Sequence, residues 1–413
     1  MATTRSGLIA GLDVGTSKVC CFIARVDNGR LRCIGIGHHA SKGVRAGAIV
    51  DMEDAEASIR AAVEAAERMA GETIREAFVS FTAGQPGSQL VSVEVALAGH
   101  EIGETDVAHV LDQGRRAEQP SDRQIVHSIP VGYSVDGARG VRDPRGMYGE
   151  RLGVNIHLVT AATGPLRNLV SCVGRGHLAV AGLVAAPFAA GLSSLVEDET
   201  DLGVTVVDMG GGTSSIAVFY DGALVHVDVI PLGGGHISND IARGLATPIA
   251  QAERLKTLYG GAIAGAGDDT EMIDVPQVGE AEPASAHHVP RSVLTGIIRP
   301  RAEEILELVR DAIQRSGFER VAGRRVVLTG GASQLQGLRE LAARMLDKQV
   351  RLCQPLKVAG LADAAGGPAF AVCAGLLTYA LKERADEIAR EDDDRLRAQG
   401  RIARLGRWLR ANF

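Results

Sequence analysis

One motif occurs twice in this chain. Residues 8–23 read LIAGLDVGTSKVCCFI, and residues 204–220 read VTVVDMGGGTSSIAVFY. Each is an apolar run ending near an aspartate, a glycine turn with threonine and serine, and a second apolar run. The pattern predicts a β-hairpin whose tip carries an acid and bare backbone amides. Asp13 and Asp208 hold matching places 195 residues apart, so two similar halves facing each other are expected. A chain of 413 residues is also long for one hydrophobic core, which points to two or more domains.

Glycine supplies 51 residues, well above the ~7% of an average chain. With only 14 prolines, this implies many tight turns rather than disorder. Four glycine sites stand in an informative order: Asp13 to Lys18 (DVGTSK), Asp208 to Thr213 (DMGGGT), Leu232 to Gly235 (LGGG, with Asp240 on the helix that follows) and Val326 to Ser333 (VVLTGGAS). Glycines let backbone approach phosphate, and their amides form an anion nest. The hydroxyls of Thr16, Ser17 and Thr213 add donors, and Asp13 and Asp208 can hold a hydrated Mg²⁺ against phosphate oxygens. Gly330 and Gly331, with Ser333 beside them, would bring a turn against sugar and base. No G-x-x-x-x-G-K-[ST] occurs, and Gly11 to Gly15 does not continue as G-x-G-x-x-G. Lys18 has two open readings, a cap on the hairpin or a phosphate ligand, and so do Gly233 to Gly235, helix packing or phosphate binding.

Bulk properties exclude other classes. A net charge of −6 argues against general nucleic-acid binding. The six cysteines, Cys20, Cys21, Cys33, Cys172, Cys353 and Cys373, form no C-x-x-C pair and read as buried thiols. The adjacent pairs His38-His39 and His287-His288 lack the i,i+4 spacing of a helical metal site. The N-terminus reaches a strand by Leu8 without the pattern of a secretory leader. The most apolar stretch, Leu178 to Leu192, is too short to span a bilayer and contains Pro187.

Local signals place the remaining elements. Met52 to Ala70 is an expected helix with Asp51 as N-cap and Gly71 as stop. Ala77 to Ala83 is a short strand. Gln85 to Gly153 has the texture of an inserted α+β module, with a helix near Thr105 to Glu118 and turns at Ser134 to Arg139 and Asp143-Pro144. Ile156 to Ala161 reads as a core strand, followed by a helix near Pro165 to Gly174 and a strand over Ala179 to Val184. Gly260 to Ser292 reads as an extended arm or hairpin. Ile298 to Gln314 is an amphipathic helix with Pro300 in its first turn. Arg324 to Gly331 is a strand and turn, with a helix expected from near Ser333, and Ala369 to Ala385 is helical.

The C-terminus differs from everything before it. Glu383 to Asp394 carries seven acids and reads as a solvated spacer. Residues 395–413 then hold six arginines, no acid and the only tryptophan, Trp408. On a helix, Ile402, Leu405, Trp408, Leu409 and Phe413 share one face, and Arg404, Arg407 and Arg410 the other. Such a helix suits the interface of an anionic membrane. A last packed helix of the fold is the alternative, against which the spacer, the all-arginine charge and the tryptophan argue.

The order of the four glycine sites resembles the actin-like ATPase superfamily. Within it, the chain resembles the FtsA family of bacterial cell-division proteins over nearly its full length. The residues carrying this closer match are GLDVGTSKV at 11–19, VVDMGGGTSSIAV at 206–218, AERLK at 252–256, VVLTGGASQLQGL at 326–338 and RLGRWLRANF at 404–413. The resemblance implies an actin-like, two-lobed α/β fold built from duplicated ribonuclease-H-like halves with an inserted α+β subdomain. Its expected divisions are a first lobe over 1–83 completed by 162–195 and 370–390, an insert over 84–161, and a second lobe over 196–369 with an outer subdomain at about 226–325. A spacer over 383–396 and a membrane-targeting helix over 397–413 follow.

The same resemblance implies ATP and Mg²⁺ between the halves. Asp13 and Asp208 take metal-side roles. Gly15, Thr16, Gly210, Gly211, Gly212, Thr213 and Gly234 take the phosphates, and Glu253, Lys256, Gly330 and Gly331 the ribose or base; Ser17, Lys18 and Ser333 stand beside these as further candidates for the nucleotide site, Lys18 with its two readings open. It further implies that Arg301 and Glu304 meet the C-terminal tail of the tubulin-like division protein FtsZ, although a solvated i,i+3 pair is the other reading of those two residues. Self-polymerisation, other division proteins as partners and a peripheral place on the cytoplasmic face of the inner membrane at the division site are also implied. Heat-shock and filament-forming relatives carry a Glu-Pro-x-Ala-Ala run whose glutamate positions the attacking water. Here Ala186 stands at that place in AAPFAA, so weak or no hydrolysis is expected. The rival readings are a small-molecule kinase of the same fold, for which no aspartate base has a matching context, and a pilus-assembly actin-like ATPase, against which the basic tail argues.

Overall fold

The structure is a computed structural model that describes residues 7–27, 29–116, 120–279, 287–355, 358–361 and 365–385. The spacer from residue 386 onward and the whole segment 397–413, including Ile402, Arg404, Leu405, Arg407, Trp408, Leu409, Arg410 and Phe413, lie outside the described residues.

Both hairpins form where the sequence places them. Leu8–Val14 pairs antiparallel with Lys18–Asp27, and Val204–Met209 with Ser214–Tyr220. Val14 faces Val19 and Met209 faces Ser214, so each aspartate stands one residue before the last pair. The likeness extends through both sheets. In the first, Lys18–Asp27 continues to Arg30–Ala40, while Glu76–Phe81 and then Ala179–Ala185 add in parallel on the other side. In the second, Ser214–Tyr220 continues to Ala223–Ile230, while Arg325–Thr329 and then Gln349–Leu352 add in parallel. A parallel neighbour requires a crossover. Helices Met52–Ala70 and Thr163–Arg175 lie on the crossovers of the first sheet, and Arg291–Arg315 and Leu338–Leu346 on those of the second. Val204–Met209 is buried along its whole length, which accounts for its unbroken apolar run around Asp208.

Helix Met52–Ala70 has the expected ends. The Asp51 carboxylate accepts from the amides of Glu53 at 3.0 Å and Asp54 at 3.1 Å, and Gly71 closes the last turn. Ala55, Ile59, Ala62 and Ala66 form its buried stripe. The six cysteines are buried free thiols.

Between Phe81 and Thr163 the chain leaves the first sheet and returns. Gly84 and Ala162 mark the two ends, with the Ala162 amide donating to the Gly84 carbonyl at 2.8 Å. The intervening residues form a four-stranded antiparallel sheet in the order Gly87–Ala96, Arg151–Ala162, Arg123–Val135, Ala138–Val141. Helix Glu104–Arg115 packs on it through Val107 and Val110, against Val95, Leu152, Val154 and Ile156. Ile156 to Ala161, read as a strand of the main core, belongs to this sheet instead. Ile156 and Leu158 serve the insert's own hydrophobic cluster, while Val159 and Ala161 pack in the main core, so the strand joins both.

Two boundaries also differ from expectation. The amphipathic helix starts at Arg291, and Pro300 lies inside it rather than in its first turn. Leu294, Ile298, Ala302 and Ile305 continue one buried stripe past the proline. Pro300 and Gly296, whose carbonyl loses its helical partner, are both exposed, so water can satisfy that carbonyl and burial on the opposite face outweighs the proline penalty. After the fourth glycine site, Gly331–Gln334 forms a 3₁₀ turn, and the α-helix begins only at Leu338. The extended arm is a two-stranded hairpin, Met272–Val275 with His287–Pro290, and residues 280–286 fall outside the described residues.

Candidate functional site

The two hairpin tips meet. A side chain at Gly211 would place its Cβ 1.8 Å from Ser17 Oγ, and one at Gly212 would come within 2.5 Å of Thr16 Oγ1. Only glycine allows this approach. The tips are closed by equivalent hydrogen bonds, Gly15 N to Lys18 O at 3.1 Å and Gly210 N to Thr213 O at 2.9 Å. Thr16 Oγ1 also accepts from the Gly47 amide at 3.1 Å.

Asp13 and Asp208 stand behind these tips. Ser80 donates to Asp13 Oδ1 at 2.6 Å. Asp208 is buried, and burial together with the nearby Asp13 charge pushes its pKa up to about 7, against the opposing pull of Lys18. Burial also raises Asp13, with the Ser80 hydrogen bond and Lys18 acting in the other direction. Among the described residues neither carboxylate has a salt bridge. Two nearby acids without a cationic partner, Asp208 buried and Asp13 half-buried, suit a divalent cation, since a cation relieves the repulsion and desolvation that raise their pKa values. No group of three or more His, Cys, Asp or Glu gathers among the described residues, so a cation here would need oxygens from elsewhere. Mg²⁺ satisfies that condition when it keeps waters and binds substrate phosphates.

The third and fourth glycine sites close around this pair. Helix Gly234–Gly244 begins against the second tip, with Gly234 N donating to Gly210 O at 2.9 Å and Gly235 N to Gly211 O at 2.7 Å. These amides hold the tip, a role the sequence left open beside phosphate binding. Gly330 has φ +83°, and a Cβ there would lie 2.6 Å from Asp208 Oδ1, so the fourth turn packs on the second acid. Ser333 is buried and donates its hydroxyl to Gly330 O at 2.7 Å. Gly330 N donates to Pro368 O at 3.1 Å, and Thr329 Oγ1 to the same carbonyl at 3.0 Å.

Glu253 and Lys256 lie beside Gly234. Lys256 Nζ donates to Glu253 Oε2 at 2.7 Å, Ser238 Oγ at 2.8 Å and Gly234 O at 3.1 Å, and Ser238 also donates to Glu253. A Cβ on Gly234 would meet Ala332 at 2.7 Å, which brings the third and fourth sites together. Lys18 Nζ sits 3.4 Å from the centroid of the Phe370 ring. Ala186 is buried at the start of helix Ala186–Ser194 and presents a methyl group.

Arg301 and Glu304 lie on helix Arg291–Arg315, apart from the acids. Arg301 Nε donates to Asp240 Oδ2 at 2.6 Å and its Nη2 to Asp240 Oδ1 at 3.2 Å, while its Nη1 reaches Glu304. Asp240 belongs to the helix that begins at the second tip. The Arg301–Glu304 pair therefore carries a third member.

Sequence reasoning missed Ser80, Phe370 and a set of polar contacts from the inserted sheet. The Ala185 amide donates to His127 Nε2 at 3.0 Å, one residue before Ala186. His157 pairs with Leu224 O and Ser88 Oγ, both at 2.9 Å, and Ser88 Oγ accepts from Val227 N at 2.6 Å. A single serine inside the apolar strand Glu76–Phe81 was a usable signal for Ser80. The others have partners too distant in sequence to be read. A cavity of about 1910 Å³ lies elsewhere, between the inserted sheet, residues Phe188 to Asp201 and the helix over 371–385, and none of the four glycine sites lines it. No helix among the described residues is long and apolar enough to cross a membrane.

Paired sheets of one topology, with acid-tipped hairpins meeting between them, define the actin-like class. Solved structures agree. The PilM–PilN type IV pilus biogenesis complex matches with a TM-score of 0.63 at 18% identity, over 90% of this chain and 98% of that one. MreB5 of Spiroplasma citri bound to ADP matches with a TM-score of 0.55 at 12% identity, over 93% and 98%. At these identities the likeness is one of fold. The family model for cell division protein FtsA matches residues 205–375, and that for the SHS2 domain inserted in FtsA matches residues 83–160. Cell division protein FtsA of Agrobacterium fabrum is 45% identical over 100% of this chain and 96% of its own length. That of Escherichia coli K12 is 34% identical over 100% and 99%. The chain belongs to the FtsA family of cell division proteins.

Proposed function

We propose that this chain is an ATP-binding division protein that polymerises on the cytoplasmic face of the cell membrane and tethers FtsZ to it at the division site. The observation that carries the nucleotide reading is the pair of acids, Asp208 buried and Asp13 half-buried, behind two touching glycine tips. Mg²⁺ with a nucleoside triphosphate supplies the positive charge and the oxygens that this pair lacks. Gly15, Thr16, Ser17 and Lys18 approach the phosphates from one half, and Gly210 to Thr213 with Gly234 from the other. Glu253 and Lys256 flank the ribose or base, with Gly330, Gly331 and Ser333 opposite. Hydrolysis is slow in this reading, because the Ala186 methyl can neither orient nor deprotonate water.

The membrane reading rests on sequence. One 17-residue foot with a few arginines binds reversibly, and many feet on one polymer bind far more tightly. Arg301 and Glu304 take the FtsZ tail in this scheme, with Asp240 holding the Arg301 guanidinium in place. The inserted domain meets other division proteins.

Co-sedimentation with anionic vesicles, with and without MgATP, tests the scheme. The intact chain should pellet with vesicles, more so with MgATP, and a chain ending at Asp394 should stay in solution. Equal pelleting of both chains sinks the membrane part. Fluorescent ATP that binds no better with Mg²⁺ than with chelator sinks the nucleotide part.

A further inference from the structure

Lys18 is a half-buried lysine with no ion pair among the described residues. Its ammonium rests instead on the face of Phe370, well within the ~6 Å reach of a cation–π contact. The ring is itself fixed. Phe22 stacks on it at 6.0 Å and 16°, and His38 at 6.0 Å and 22°. Two residues earlier, the Pro368 carbonyl accepts from Gly330 and Thr329. The stretch 368–370 thus touches the first tip through Lys18 and the fourth glycine turn through Pro368.

A lysine side chain has four rotatable bonds, and ordering it on ligand binding costs entropy. A ring that occupies one face of the ammonium leaves its other N–H bonds available. We propose that Phe370 is a positioning residue for the nucleotide site, holding the Lys18 ammonium at the first hairpin tip so that it meets a phosphate oxygen already in place. This rests on the nucleotide reading above and adds a residue that carries no phosphate-binding chemistry of its own.

The test is binding of Mg²⁺ and a fluorescent ATP analogue to the full chain carrying Phe370→Leu, Phe370→Tyr, Lys18→Met, or Lys18→Met with Phe370→Leu. Leucine keeps an apolar side chain but removes the π face, and tyrosine keeps it. Phe370→Leu should weaken binding about three- to tenfold and Phe370→Tyr by less than about twofold. In the Lys18→Met background, Phe370→Leu should change nothing further. Phe370→Met replaces the leucine variant if that one fails to fold. Unchanged affinity in Phe370→Leu overturns the proposal, as does an equal loss in both backgrounds, which would mean the ring acts through the fold. If the unmodified chain itself binds no nucleotide, the underlying reading fails and this role falls with it, a result distinct from the other two.

Discussion

At the scale of single residues, the two acids dominate. Asp208 has a pKa of about 7, above its unfolded value, so its neutral form contributes stability that is complete below the ordinary carboxylate range and lost as pH rises through about 7. Without divalent cations, stability should fall between about pH 4 and pH 7 and level off above that, seen as a thermal midpoint that drops across this window. Asp208→Asn should flatten that fall, as should MgATP added to the unmodified chain. An equally steep profile in Asp208→Asn would assign the loss to another group. The two hairpins were legible because the same order of aspartate, glycine, threonine and serine stands between two apolar runs in both halves. Ser80 was less so, since its partner is 67 residues away and only a polar interruption in an apolar strand marks it. Phe370 left no trace, because a ring beneath an ammonium has no sequence spacing.

At the scale of elements, caps were read well and interruptions badly. Asp51 and Gly71 bracket their helix because capping is local chemistry, settled within three or four residues. Pro300 misled because a proline within an otherwise periodic run can start a helix or sit inside one, and only burial on the far face decides. Its exposed place makes a prediction. Pro300→Ala should stabilise the chain by about 1–3 kcal/mol, seen as a higher urea midpoint at unchanged slope. A loss of stability would instead mean that a bend at Pro300 is needed for packing against Asp240 and its helix. The 3₁₀ turn at Gly331–Gln334 was read as α-helix for a related reason. Ser333 spends its hydroxyl on Gly330, and that local bond tightens the turn before the apolar helix can begin.

At the scale of the whole molecule, the duplication was legible and the docking of the inserted sheet was not. Matched hairpins announce matched sheets, whereas a contact between distant halves depends on their placement. That contact is a polar relay. Burial holds the His157 pKa down at about 4, so the ring is neutral. Nδ1–H donates to Leu224 O, and the single Ser88 hydroxyl proton is shared between His157 Nε2 and the Val227 carbonyl while its oxygen accepts from Val227 N. The stability this relay contributes is present above the usual histidine pKa and is lost as pH falls toward 4. Ser88→Ala should cost about 1–2 kcal/mol and speed amide exchange at Val227, with exchange at the two hairpin tips unchanged. Exchange that rises at the tips as well would mean the relay also holds the two halves together. The stem of this insert has its own consequence. Because Gly84 and Ala162 are joined by one hydrogen bond, a short splice could bridge the gap and leave every strand of the parent sheet in register. The insert is thus a cassette whose surface away from Ala185, Leu224 and Val227 can vary while the acid-tipped hairpins stay as they are.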